Sequence, residues 1–331
     1  MAGKKQHFVP RYYLKGFADN AKLYVYDIYK DEKVVDQNVD ISDVGFKKNF
    51  YNLNLEQINI FLSEKITDKT ELDNILEQYN ERWSANLIRS FQDLDDRIGI
   101  IKNLGDYTSK VNMPDLYDFI VIQMLRTPRF RKGISDISKL VRDKVNDMTE
   151  VQIDGETKQD SMSIDDISKL IHTNLLLSSI AETKIGKTLK FKNPFLAQHH
   201  FQSDLTKSIY KWLKNSIGIL YMNTTDTLFK TSDSPVSFTQ AHGTDVFSMR
   251  HLYIPITKRC AFLFLNPIWY PSASIYHRKL RILQNGDEEI AMNFNFYVIN
   301  KCDKHLYSFD DHFSWESLFI KKEIPIYMKV W

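Results

Sequence analysis

His7, Arg11, Arg126 and Asp233 are side chains of the types that phosphoryl-transfer chemistry uses. An imidazole titrates near neutral pH and serves as general acid or base. Guanidinium groups clamp a phosphate and the charge that develops on it. A carboxylate orients the imidazole or binds a metal ion. His7 stands in Gln6-His7-Phe8-Val9-Pro10-Arg11, flanked by Gln6 and Arg11 and anchored by Phe8 and Val9. Asp233 stands in Thr231-Ser232-Asp233-Ser234-Pro235-Val236 between two runs of strand character, where functional carboxylates are often mounted. Both have plainer uses. Histidine, proline and arginine at a helix start make a capping arrangement, and Asp before Ser-Pro makes an Asx turn.

Residues 114–126 read as a helix whose buried face is set by Leu116, Phe119 and Ile120. Continuing that face by three, four and seven residues reaches Gln123 and Arg126. A buried guanidinium must meet a carboxylate, carbonyls or a bound anion, so Arg126 is either half of an internal ion pair or part of a site. Arg129, Arg131 and Lys132 follow, giving a solvated helix C-terminus or a phosphate-gripping edge. His199 and His200 do not make a chelate, because adjacent helix residues point about 100° apart.

These residues need elements to hold them. Pro10 suits the first turn of a short helix through Phe17. Residues 22–27 alternate as a strand, with 33–39 as the hairpin partner. Apolar residues at three- and four-residue steps over 71–91 predict a long amphipathic helix. Pro128 ends the 114–126 helix, since the residue before proline leaves the α region, and a third helix covers 135–148. Residues 149–162 lose their apolar period and mark a loop and internal seam. Ser163 and Asp166 form a capping box for the next helix, and another runs from Pro194 to about Leu213. Short apolar runs at 217–222, 227–230, 236–238, 252–256 and 260–265 predict strands, followed by a helix over 287–300 and strands at 306–309 and 324–330. The expected architecture is α+β: a single compact domain over 1–331, its mainly helical N-terminal two thirds packed on a mainly antiparallel C-terminal sheet.

Hydrophobic residues make up 43% of the 331 and Gly and Pro are sparse, which excludes a disordered chain. The 44 basic and 42 acidic side chains nearly cancel, so no global field draws the protein to nucleic acid or an anionic membrane, and any anion site is local. Cys260 and Cys302 are too few for a disulfide framework and read as buried reduced thiols. The N-terminus lacks the apolar stretch of a signal peptide, and no window is long and apolar enough for a membrane span. The expected location is the cytoplasm, with no membrane partner.

The opening Gln6-His7-Phe8-Val9-Pro10-Arg11-Tyr12-Tyr13-Leu14 with Phe17 resembles the bacterial family known as domain of unknown function 4238. Gln123 with Arg126-Thr127-Pro128, the Ser232-Asp233-Ser234-Pro235-Val236 turn, and Asn295 ahead of Leu306-Tyr307-Ser308 resemble the same family in order. The resemblance implies a bacterial or phage-borne cytosolic protein and assigns no activity. Its motifs coincide with the polar residues singled out above. The first expectation is therefore a nuclease-like phosphodiester hydrolase, a candidate phage-defence effector. His7 and Asp233 are catalytic in it, and Gln6, Arg11, Gln123, Arg126, Ser232 and Asn295 bind substrate. His7-Phe8-Val9-Pro10 also resembles the His-x-x-Pro start of His-Asn-His nucleases, without the second histidine on a following helix. Mg²⁺ on Asp233 is compatible with this chemistry, although no carboxylate cluster supports it. The second expectation is a non-catalytic binding or sensor module for a nucleotide or other small anion, although no Gly-rich phosphate loop or Rossmann fingerprint is present.

Overall fold

A computed structural model describes residues 5–30, 36–48, 50, 84–96, 107, 111–149, 163–182, 200–240 and 249–313. In chain order the elements are β1 Lys5–His7, α1 Arg11–Lys15, β2 Lys22–Asp27, β3 Asp36–Asp40, β4 Phe46–Lys48, α2 Ser84–Asp96, α3 Met113–Leu125, α4 Pro128–Thr149, α5 Ile164–Glu182 and α6 His200–Asn215. They continue with β5 Ile217–Asn223, β6 Thr231–Ser232, β7 Ser237–Gln240, β8 Met249–Pro255, β9 Cys260–Leu265, β10 Leu280–Leu283, α7 Glu288–Lys301 and β11 His305–Ser308. No helix of the described residues is long and apolar enough to cross a membrane.

Most strands lie in the C-terminal half but they are not confined to it, and the helices are scattered, which corrects the expected arrangement of a helical N-terminal part on a C-terminal sheet. Strands β1 to β4 all precede the long helices, ending at Lys48. A two-stranded ribbon pairs β1 with β4, and a four-stranded sheet in the order β3-β2-β11-β6 takes half its strands from each half of the chain. Tyr24 to Asp27 of β2 pair antiparallel with Ser308 to His305 of β11. That pairing joins segments near opposite ends of the described chain, and local periodicity carries no sign of it. The helices are scattered in turn, α7 lying between β10 and β11.

The five-stranded sheet, β10-β5-β9-β8-β7, is antiparallel except for β10, which runs parallel to β5. It is covered on both faces, which explains the unbroken apolar run of β9. On one face Met222, Leu252, Ile254, Phe262 and Phe264 join a core with α1, α2, α3 and α6. Phe91 and Tyr107 meet Phe262 edge-on, with centroids at 5.6 and 5.3 Å. On the other face Tyr221, Tyr253 and Leu263 pack against α7, where Tyr253 stacks on Phe294 at 4.6 Å.

Asn112 caps α3 by accepting the Asp115 N–H, with Pro114 in the first turn. Pro128 stops α3 and also opens α4, Thr127 Oγ1 accepting the Phe130 N–H at 3.3 Å. The third helix therefore starts at Pro128 rather than at the expected Ser135, and Arg129, Arg131 and Lys132 ride on its first turns. Arg129 donates to the Asn300 carbonyl in the last turn of α7, and Arg131 donates to Phe50 O while lying over the Phe50 ring. The strand expected at 227–230 is irregular chain, and the long helix expected at 71–91 is seen from Ser84 onward. Of the seam expected at 149–162, Thr149 is the last residue of α4 and the rest lies outside the described residues, as does the strand at 324–330.

Gly45, with φ +62°, supports the start of α1 by accepting the N–H groups of Phe8 and Val9 at 2.9 and 3.1 Å. A Cβ there would lie 3.0 Å from Val9 Cβ in a backbone conformation that L side chains rarely adopt. Gly45→Ala is expected to lower the stability by about 1–2 kcal/mol. Gly133 sits in α4 with open space around it, so Gly133→Ala is expected to raise the stability by about 0.5–1 kcal/mol. Urea midpoints at unchanged slope check both, and equal shifts of one sign would refute the account.

Candidate functional site

The opening motif is held by main-chain bonds and by the polar stripe of α3. Gln123 Nε2 donates to Phe8 O at 2.9 Å, and Arg126, 2% exposed, donates through Nη2 to His7 O. Carbonyls of the motif thus supply partners that a buried amide and guanidinium require. One turn on, the Tyr13 hydroxyl donates to Pro255 O at 2.7 Å and receives the Thr231 hydroxyl at 2.7 Å. Its ring packs on Phe17 and Phe119 at 5.2 and 5.5 Å. The N-terminal segment is wedged between α3 and the strands.

Asp233 is 2% exposed and accepts the backbone N–H groups of Asp303, Lys304 and His305 at 2.8, 2.7 and 2.9 Å, with the Cys302 thiol donating at 3.5 Å. These donors fix the turn that leads from α7 into β11. Burial pushes the carboxyl up to about 6, against the N–H groups that favour its ionised form. His7 is not among its partners, which corrects the expectation that Asp233 orients His7: the oxygens are filled by main-chain donors from 303–305. Ser232 Oγ accepts the Ser234 N–H at 3.1 Å, closing the same turn. Asn295, inside α7, accepts Lys230 N–H at 2.8 Å and donates to Leu228 O at 2.9 Å. Gln123, Arg126, Ser232, Asp233 and Asn295 are therefore all buried and bonded to main chain.

The remaining three residues lie on the surface. Arg11 is exposed in the first turn of α1, and Gln6 is half-buried opposite Lys47 in the ribbon. His7 is half-buried, its Nε2 3.3 Å from Ser42 O and its ring 5.5 Å from Phe46. No group of three or more His, Cys, Asp or Glu side chains able to hold a metal occurs among the described residues. Neither cysteine is in a disulfide, and both are buried. The side chains of His199 and His200 lie outside the described residues.

Sequence reasoning missed two features. His172 of α5, 1% exposed, sits beside Leu125 O at 2.6 Å, where a neutral ring donates Nε2–H to the end of α3. Burial, then Arg131 and Arg126 nearby, pulls it down to about 4. No periodicity marks such a residue. The second is a groove of about 530 Å³ along β10, lined by Ile219, Tyr276, Lys279, Leu280, Arg281 and Ile282. A signal for it existed: residues 246–286 hold six Lys or Arg and no Asp or Glu. The near-neutral total charge hid that run.

A protein-family model described as Protein of unknown function (DUF4238) matches residues 5–312. No curated protein and no solved structure matches the chain.

Arg126→Ala strands the His7 carbonyl and is expected to cost about 2–4 kcal/mol, read from the urea midpoint. The pH dependence has a definite sign. His172, and His251 with a folded pKa of about 4 caused by burial beside Arg250 and Lys301, lie below the unfolded value of 6.5. Their contribution is intact above pH 6.5 and is lost as pH falls toward 4, because the unfolded chain takes up protons first. Asp233 acts oppositely: its folded value of about 6 exceeds 3.8, so its burial penalty is relieved across that range on acidification. These two histidines, together with His305, which burial also lowers, oppose one carboxylate, so stability is expected to decline from pH 6.5 to 4, less steeply in His172→Gln and more steeply in Asp233→Asn. A His172→Gln protein with the wild-type pH slope would remove this assignment.

Proposed function

The chain belongs to the family described as Protein of unknown function (DUF4238), and for it we propose a non-catalytic binding module that captures a small phosphate-bearing anion, a nucleotide by its chemistry, in the groove along β10. The observation that carries this reading is the groove itself, where Lys279 and Arg281 share a wall with the Tyr276 ring and with Ile219, Leu280 and Ile282. Its volume lies within the range of small-ligand sites, about 300–1,000 Å³. Cations beside a ring and aliphatic side chains match a ligand with a charged phosphate and a flat heterocycle. The wall is preformed. Arg278 N–H donates to Gly218 O at 2.8 Å, and Gly218 N–H donates to His277 Nδ1 at 3.2 Å, pinning the chain that enters β10.

A phosphodiester hydrolase built on His7 and Asp233 is the competing reading, and it demands more of the molecule. Asp233 would have to give up three main-chain N–H bonds to act on a substrate, at a cost of about 1.5–3 kcal/mol for each bond to a charged group. The binding reading leaves every buried partner in place.

Calorimetric titration of the full chain with ATP is expected to show saturable binding. Lys279→Glu with Arg281→Glu is expected to weaken it by at least about tenfold, the order lost with one charged hydrogen bond. The melting temperature should stay close to wild type, because Lys279 is exposed and Arg281 only half-buried. Turnover of ATP, RNA or DNA that disappears in His7→Ala would overturn the binding reading and establish the hydrolase. ATP affinity unchanged in the double variant would remove the groove as the site.

A further inference from the structure

The chain that enters the groove carries a second, exposed feature. Between β9 and β10, Ile268 and Trp269 are 83% and 48% exposed, and Ile275 and Tyr276 are 62% and 39% exposed. These side chains are held outward by an ordered frame. Asn266 donates through Nδ2 to Met249 O at 3.1 Å and accepts the Ile268 N–H at 3.0 Å on its side-chain oxygen. Its carbonyl accepts the N–H groups of Trp269 and Tyr270, and a 3-10 turn at Pro271–Tyr276 buries Ala273 beneath it. The exposure is built into the backbone.

Cations accompany the rings. The Arg250 guanidinium lies 4.4 Å from the Trp269 ring centroid and fixes one face of the indole. Arg278, Lys279 and Arg281 follow closely on Tyr276 in the chain. None of these four cations has a carboxylate partner among the described residues.

We propose that this surface and the groove form one track for single-stranded nucleic acid, with bases stacking on Trp269 and Tyr276 and the phosphates following Lys279 and Arg281. The proposal rests on the phosphate-binding reading of the groove and names its ligand class. Single strands expose their ring faces, so aromatic platforms beside a cationic path capture them without reading sequence. In a duplex those faces are stacked within the helix, leaving Trp269 and Tyr276 nothing to stack on. A bilayer is flat and would leave Lys279 and Arg281 unengaged in a concave groove, although Ile268 and Ile275 would suit it.

The test measures fluorescence anisotropy of the full chain with a labelled oligothymidylate of about 12 nucleotides, a length within the usual site sizes. A duplex of the same length, anionic phosphatidylglycerol vesicles and ATP serve as comparisons. The oligonucleotide is expected to bind at least about tenfold tighter than ATP and tighter than the duplex, with affinity falling steeply as salt rises. Trp269→Ala should weaken it by about tenfold and Trp269→Phe much less, while ATP binding stays at wild type in both, because Trp269 does not line the groove. An oligonucleotide affinity no better than that of ATP, or untouched by Trp269→Ala, overturns the track and leaves the groove standing. Preference for the duplex or the vesicles overturns it as well. Absence of binding to both ATP and oligonucleotide overturns the groove reading together with the track.

Discussion

An arginine with 2% of its surface exposed has to be answered from inside the protein, and for Arg126 part of the answer is the carbonyl of His7. With Gln123 bonded to Phe8 O, this contact ties the end of α3 to the opening motif. The segment that follows inherits its position. Pro10 opens α1, Tyr13 spans from Phe119 to Thr231 and Pro255, and Gly16 O receives the Lys258 N–H at the β8–β9 turn. Through these bonds the segment from His7 to Phe17 joins a helix near the middle of the chain to strands from its second half. A carboxylate in place of the His7 carbonyl would have made an ion pair. A main-chain acceptor instead fixes the path of the backbone, whatever the side chains around it.

A second brace uses the same logic around α7. Asp233 collects N–H groups left over where α7 gives way to β11, and Asn295 holds residues 228–230 to α7. Both act on irregular backbone, where no ladder or helix satisfies the polar groups and a side chain must do so. The two braces meet at the Thr231–Ser232–Asp233 stretch, where Tyr13 bonds Thr231. Gln123, Arg126, Ser232, Asp233 and Asn295 are thereby accounted for by main-chain bonding, while Gln6, His7 and Arg11 remain at the surface.

The sequence made α3 legible in both extent and burial, because Pro114 and Pro128 punctuate it and its apolar period is clear. It also showed that Gln123 and Arg126 fall on a buried stripe and need partners. The partners' identity was not legible, because a carbonyl or an N–H belongs to every residue and leaves no mark in the sequence. Asp233 illustrates the same gap. An Asx turn and a catalytic carboxylate were both readable from Ser-Asp-Ser-Pro, whereas capture of the N–H groups of Asp303, Lys304 and His305, far along the chain, was not. The strand pattern of β2 was plain, but its neighbour β11 lies near the other end of the chain, so the arrangement of sheets was misplaced while the elements were mostly found. His172 was invisible for a different reason: its role comes from the end of another helix.

A total charge of +2 rules out a global field, and averaged over the chain it conceals where the charges sit. Residues 246–286 carry six cations and no carboxylate, and they build β8, β9, the exposed rings and β10. Two of the six serve the fold, since Arg259 bonds Asn223 O and Lys258 covers the Phe309 ring. Arg250 stands beside the Trp269 ring, and Lys279 and Arg281 stand in the groove. Arg250, Lys279 and Arg281 have no carboxylate partner among the described residues, and a Debye length of about 8 Å confines their field to its neighbourhood. Such a field acts on a ligand only once the ligand is near, so selection falls to the rings and the concave wall rather than to long-range attraction.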